Sequence, residues 1–191
     1  MKKLALITLF LLAFLSFGLL SCKNSSKKSS SPLIIKIDTT VRRNFVSSKY
    51  NFRIWFPKKP QQLQDSMTID SLTITYTTYM LDMRDSFFML TVVNYPKSVL
   101  QVQSPAQILL NGHHKAILTQ KLIADYEYLD TTSHPYPVLY YKVRNDQFNM
   151  AGMNLFRDTN MFQLFLVNTK SYPSQQTINR FLGSFQLLDK N

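Results

Sequence analysis

From Tyr50 to Pro57 the chain reads YNFRIWFP, with Tyr50, Phe52, Ile54 and Phe56 alternating against Asn51, Arg53 and Trp55. A period of two sends successive side chains to opposite faces of an extended strand, so one face here is expected to lie on a core. Pro57 and Pro60 end the strand, because proline cannot donate to a ladder. From Leu63 to Tyr95 the chain is rich in Thr, Tyr, Ile, Val and Phe, the residues that fit a pleated surface. Strands are expected at LTITYTTYML (72–81) and FFMLTVVNY (87–95), with a turn at Asp82-Met83-Arg84-Asp85. MTID (67–70) ends an earlier strand, and LIIKID (33–38) reads either as a short strand or as extended lead-in.

Ser104-Pro105 opens a different texture. Serine caps helices and proline is favoured at the first helical position. AQILLNGHHKAILTQ (106–120) follows with helical spacing at Leu109, His113 and Ile117, weakened by Gly112 in the middle. Strands resume with LIADYEYLD (122–130), then a loop TTSHPYP, then VLYYKVR (138–144). MAGMNLFRD (150–158) and MFQLFLVNT (161–169) are joined by a turn at Asp158-Thr159-Asn160. A closing helix is expected over about 174–184, with Ile178, Phe181, Leu182 and Phe185 as its apolar stripe. Short, hairpin-linked strands argue for antiparallel pairing. The expected fold is therefore α/β in the α+β sense: an antiparallel sheet of about six to eight strands with helices packed on its faces.

The N-terminus follows another pattern. Lys2 and Lys3 precede LALITLFLLAFLSFGLL, residues 4–20 without a charge, and then Ser21 and Cys22. This is the layout of a signal peptide. Leu19-Leu20-Ser21-Cys22 resembles a bacterial lipobox. The resemblance implies removal of residues 1–21, a thioether-linked diacylglycerol on Cys22, and acylation of its new amino group. A signal-anchor helix, an ordinary secretory signal with an incidental cysteine, and a buried apolar helix are the alternatives. KNSSKKSSS after the cysteine has no apolar residue and makes a flexible tether, so residues 22–44 are read as a lipidated linker and 45–191 as one globular domain. Lys23 stands where an aspartate would retain a lipoprotein at the inner membrane, and no acid occurs before Asp38. The expected address is the outer membrane, facing the periplasm.

The formal charge of +11 shrinks on inspection. Lys2, Lys3, Lys23, Lys27 and Lys28 lie in the signal or tether, which leaves 17 basic and 11 acidic residues from Leu33 onward. No basic run with interleaved aromatics is present, and nucleic acid is not expected as a partner. Cys22 is the chain's only cysteine, so its lipidation leaves no thiol for a disulfide, a metal or nucleophilic attack.

The strand "YNFRIWFPKKP", the pair ending "VVNYP", a helix, a run of hairpins, "MFQLFLVNT" and a terminal "INRFLGSFQLL" together resemble the PsbP-like superfamily, over roughly residues 45–188. That family includes an extrinsic subunit of photosystem II, a small Ran-binding protein and many bacterial lipoproteins. The resemblance implies a central antiparallel sheet between helices and a docking or assembly role. It carries over no site residue.

Candidate chemistry is sparse. His113 and His114 are adjacent, so their side chains leave a helix about 100° apart, and a zinc site prefers ligands one turn apart. His134 lies beside Pro135 in a loop. The three are read as ordinary surface or half-buried histidines that do not converge. Asp125 and Glu127 fall on one side of a strand, within reach of Lys121, Lys142 and Arg144, and are read as charge-balanced rather than catalytic. Only Gly18, Gly112, Gly152 and Gly183 occur, so no glycine-rich phosphate loop exists, and no G-x-S-x-G or S-x-x-K motif is found. Trp55, Tyr140 and Tyr141 are core candidates before they are groove candidates. No catalytic residue, metal or cofactor is expected. The expected function is that of a non-enzymatic, lipid-anchored docking or accessory factor for an envelope protein. A carrier of a small apolar or lipid ligand is the first alternative, and an unrecognised hydrolase the second.

Overall fold

The computed structural model describes residues 33–36, 44–69 and 72–189. Cys22 and the signal segment lie outside the described residues. The chain runs β1 (Asn44–Ser47), β2 (Phe52–Trp55), β3 (Gln61–Ile69), β4 (Leu72–Asp82) and β5 (Ser86–Asn94). Helices α1 (Lys97–Val102) and α2 (Pro105–Thr119) follow, then β6 (Ile123–Asp130), β7 (Val138–Arg144), β8 (Asn149–Arg157) and β9 (Asn160–Asn168). It closes with α3 (Gln175–Phe181), a 3-10 turn at Leu182–Ser184 and β10 (Gln186–Leu187).

Strands dominate this mixed α/β fold. A seven-stranded sheet has the order β3-β4-β5-β9-β8-β7-β6, and a three-stranded sheet the order β1-β2-β10. All pairings are antiparallel. The large sheet is two meanders, β3-β4-β5 and β6-β7-β8-β9, joined where β5 pairs with β9 over Ser86↔Asn168 to Asn94↔Asn160. Turns are made largely without glycine: Asn51 (φ 49°) and Asp158 (φ 56°) take the left-handed conformation, which their short polar side chains tolerate.

The small sheet is a departure from the expected single sheet. Its strand β2 is the alternating segment read from the sequence, and Phe52, Ile54 and Phe56 are buried as expected. Its neighbours, however, come from the two ends of the domain. β1 pairs as Phe45↔Ile54 and β10 as Leu187↔Phe52. Four- and two-residue strands are too short to show a period, and α1 is likewise absent from the sequence reading.

Two buried clusters use alternate residues of the large sheet. One joins Met89, Val93, Leu139, Tyr141 and Phe165 with Val99 of α1 and Ile108, Leu109 and Ala116 of α2. The other joins Phe88, Leu90, Phe162 and Leu164 with Phe52, Ile54, Ile178, Phe181 and Leu182. Hence β5 and β9 are buried on both sides and read as near-continuous apolar runs. Leu33, 6% exposed, belongs to the second cluster. Lys36 N–H donates to Asn179 Oδ1 (3.1 Å), and the Gln175 side chain donates to the carbonyl of Ile34. Among the described residues, burial thus begins at Leu33, ahead of the Phe45 boundary drawn from composition.

Candidate functional site

α2 begins as its sequence dictates. Ser104 Oγ accepts from Gln107 N–H (3.3 Å) while Gln107 Oε1 accepts from Ser104 N–H (2.9 Å), closing a capping box ahead of Pro105. This start sets the rotation of the helix and carries His113 and His114 toward β6.

There the structure corrects the sequence reading. The two histidines do not diverge: His114 Nε2 lies 3.0 Å from Glu127 Oε1 and His113 Nε2 lies 3.2 Å from Oε2 of the same carboxylate. A two-oxygen group placed between adjacent helical positions can meet both, whatever the angle at which they leave the helix. His113 is also not a surface residue but 1% exposed, with its ring 4.7 Å from that of Tyr141. His134 stays apart, 3.3 Å from Tyr140 Oη.

The electrostatics of this clamp are unequal. Burial holds His113 below the ordinary histidine range, so it is neutral near pH 7, and its buried Nδ1 has no partner. Its approach to Glu127 falls short of hydrogen-bond geometry. The hydrogen bond to Glu127 raises His114, which is half exposed. Burial pushes Glu127 up, but the hydrogen bonds and charge of His114, with His113 close by, outweigh it and bring the carboxyl to about 2. With His113 neutral, the stabilising positive charge is that of His114.

Asp125 and Glu127 do not share a side of β6, as the period of two had implied. A bulge between Ala124 and Tyr126 inserts Asp125 as an extra residue, which breaks the alternation. Glu127 turns to α2. Asp125 instead accepts from Arg144 Nε (2.9 Å) and from Tyr172 Oη (2.7 Å). Arg144 is thus the cross-strand partner expected for it, and Tyr172 is the one the sequence did not suggest. Among the described residues no group of three His, Cys, Asp or Glu side chains is placed to hold a metal ion.

A row of polar residues crosses the first face of the large sheet. Thr78, Thr91, Gln163 and Asn154 are directly opposed on β4, β5, β9 and β8, and all are buried. Thr78 and Thr91 share a hydroxyl hydrogen bond (3.0 Å), and Tyr141 Oη donates to Asn154 Oδ1 (3.3 Å). A slip of one residue would strand this row among apolar side chains, so it fixes the register.

The aromatics divide. Tyr141 is core, Tyr140 is half-buried, and Trp55 is half-buried with the Arg180 guanidinium over its ring at 4.8 Å. At one end of the large sheet, a groove of about 540 Å³ is lined by Pro105, Pro135, Tyr136, Pro137, Phe156 and Arg157, among others. The loop that carries Tyr136 is held by Asp130, whose carboxylate accepts from the N–H groups of Thr132 and Ser133 (both 2.9 Å) and is brought to about 2 by them. Arg157 Nη1 donates to the carbonyl of Leu188 (2.6 Å), closing one side. No motif announced this groove, because its lining comes from four separated segments.

Compared with protein-family models and with curated proteins, the chain matches none.

Proposed function

We propose that this is a non-enzymatic, lipid-anchored envelope protein of PsbP-like form, with helices on the faces of its sheet, acting as a docking or accessory factor at the periplasmic side of the outer membrane. One sequence observation carries the reading: Leu19-Leu20-Ser21-Cys22, after an uncharged apolar run and before a tether with nothing to bury. The fold is compatible with it. Among the described residues no helix is long and apolar enough to cross a membrane. Acyl chains on Cys22 would supply the attachment, each buried methylene contributing about 0.8 kcal/mol. Chemistry has little support, since the histidine and carboxylate contacts tie α2 and the loop after β9 to β6.

The test is Cys22→Ser. It is expected to abolish labelling by a fatty-acid analogue and to release the protein from the membrane fraction. Unchanged labelling rejects the lipoprotein reading. The docking role is tested by cross-linking the anchored protein in its own envelope. One envelope protein recovered reproducibly, and lost with Cys22→Ser, is the expected result.

The groove at Tyr136, Phe156 and Arg157 favours a second reading, carriage of a small ligand. Mass spectrometry of extracts from the purified protein distinguishes the two. A stoichiometric small molecule lost on Phe156→Ala would favour the carrier.

A further inference from the structure

Charge is divided unevenly between the two layers of the domain. From Leu33 to Pro60 the sequence holds seven lysines and arginines and one acid, Asp38. From Asn168 to Leu188 it holds Lys170 and Arg180 and no acid. These two stretches contain Leu33–Lys36, the three-stranded sheet and α3, which all contribute to the second buried cluster. The rest of the domain, from Gln61 to Val167 and in the last three residues, carries eight basic and ten acidic residues. Among the described residues, then, the layer carries seven basic groups and no acid, and the rest of the domain seven basic and nine acidic.

The basic groups face water. Lys36, Lys49, Arg53, Lys58, Lys59, Lys170 and Arg180 are all exposed. Val46 pairs with Arg53 across β1 and β2, so these two side chains share the outer face of the small sheet. Trp55, two residues along β2, is half-buried at the edge of that face, its ring under the Arg180 guanidinium and edge-on to Phe88 of β5. Val46 on this face, and Ile34 of the segment seated on α3, are each 57% exposed. Cationic, aromatic and aliphatic groups presented by one layer suit a bilayer interface with anionic headgroups.

Chain geometry presents this layer to a membrane. Leu33 is eleven residues from Cys22. A segment of that length spans at most about 40 Å when fully extended, which bounds how far Leu33 can lie from the anchor. Its inner end is seated on α3, within the basic layer.

We infer that the layer formed by Leu33–Lys36, the three-stranded sheet and α3 docks on anionic phospholipid headgroups, through Arg53, Arg180 and Trp55. The inference rests on the lipid-anchor reading for its geometry, and it adds a second, electrostatic attachment that lays the domain against the bilayer. The side of the large sheet that carries α1 and α2 then points away from the bilayer.

Trp55 is the chain's only tryptophan and reports on this face alone. The full chain, purified from bacterial membranes, is mixed with vesicles of phosphatidylcholine, or of phosphatidylcholine with phosphatidylglycerol, each carrying a headgroup nitroxide. Flotation reads the anchor and Trp55 quenching reads the docked face. Docking predicts strong, salt-sensitive quenching on phosphatidylglycerol and weak quenching on phosphatidylcholine alone, while the chain floats with both. Lys36→Gln with Arg53→Gln should weaken docking about twenty-fivefold, at about fivefold for each charge. Arg84→Gln with Lys97→Gln, an equal charge change in the other layer, should leave it unchanged. Flotation without quenching overturns the inference and leaves the anchor standing. Equal loss in both double variants, or quenching equal on both vesicles, also overturns it. If the chain fails to float with phosphatidylcholine, the anchor reading falls, and salt-sensitive quenching on phosphatidylglycerol still supports the face. Self-association abolished by the first double variant would make the patch an interface between copies, and the inference would fall.

Discussion

Tyr141 lies flat over Gly152, its direct partner across β7 and β8, so that a Cβ added at Gly152 would fall on the ring. The glycine is there to admit the ring, and the ring covers backbone that would otherwise be bare. Tyr141 can then reach Asn154 with its hydroxyl while its ring meets that of His113 at a tilt of 40°.

Gly152→Ala should therefore destabilise the domain, although alanine is the better strand residue. Overpacking of a tight site typically costs about 1–3 kcal/mol. Urea denaturation checks it, and Gly152→Ala combined with Tyr141→Leu should recover part of the loss. Additive losses would mean that the ring is not what excludes the methyl.

The His113–Glu127–His114 clamp makes a pH prediction with a defined sign. Glu127, held near 2, stabilises the fold above its usual 4.5 and loses that contribution as pH falls. His114, held above its usual 6.5, stabilises below that value and loses its contribution as pH rises through the raised one. The stability gap between wild type and Glu127→Gln should thus be widest between pH 4.5 and 6.5. Its size there should be about 1–2 kcal/mol, since the pair is partly solvated. Urea melts across that range measure it, and a gap independent of pH would show that the contact is packing rather than charge.

Phe181 is fully buried and meets Phe56 and Phe88 edge to face, each at 5.2 Å. It bridges α3, the segment after β2 and the large sheet. Phe181→Ala should cost about 3–5 kcal/mol, much of what a domain of this size has in reserve. A melting temperature that barely moved would show α3 to be dispensable.

Ser104→Ala opens the capping box and leaves Gln107 N–H without its acceptor. A loss of about 1 kcal/mol is expected. Hydrogen exchange should quicken in the first turn of α2 and leave its last turn unchanged. If the whole helix loosened, the cap would be setting more than its own turn.

Local pattern was enough for most elements. The period of two in β2, the Thr-, Tyr- and Val-rich runs of β4 and β5, the turns at 82–85 and 158–160, and the Ser104-Pro105 start of α2 all depend on residues near one another in the chain. Of the closing stripe, Ile178, Phe181 and Leu182 are buried as spaced, while Phe185 has already left the helix for extended backbone. Gly183, in the 3-10 turn between them, allows a close approach: a side chain there would run into the Lys36 carbonyl.

By itself, then, the sequence determined the strand-rich α/β class, the antiparallel hairpins, the uncharged N-terminal run that ends at Cys22, and the absence of familiar catalytic motifs. Tertiary structure alone decided which strands share a sheet, that β1 and β10 flank β2, and that β5 meets β9. It also decided that one carboxylate joins two histidines, and that a bulge sends Asp125 to Arg144 and Tyr172. The physical reason is range. Periodicity and capping are set by neighbours within a few residues. Pairing between distant strands, and the meeting of polar groups across a core, depend on how whole faces pack, and a one-residue bulge is enough to reverse them.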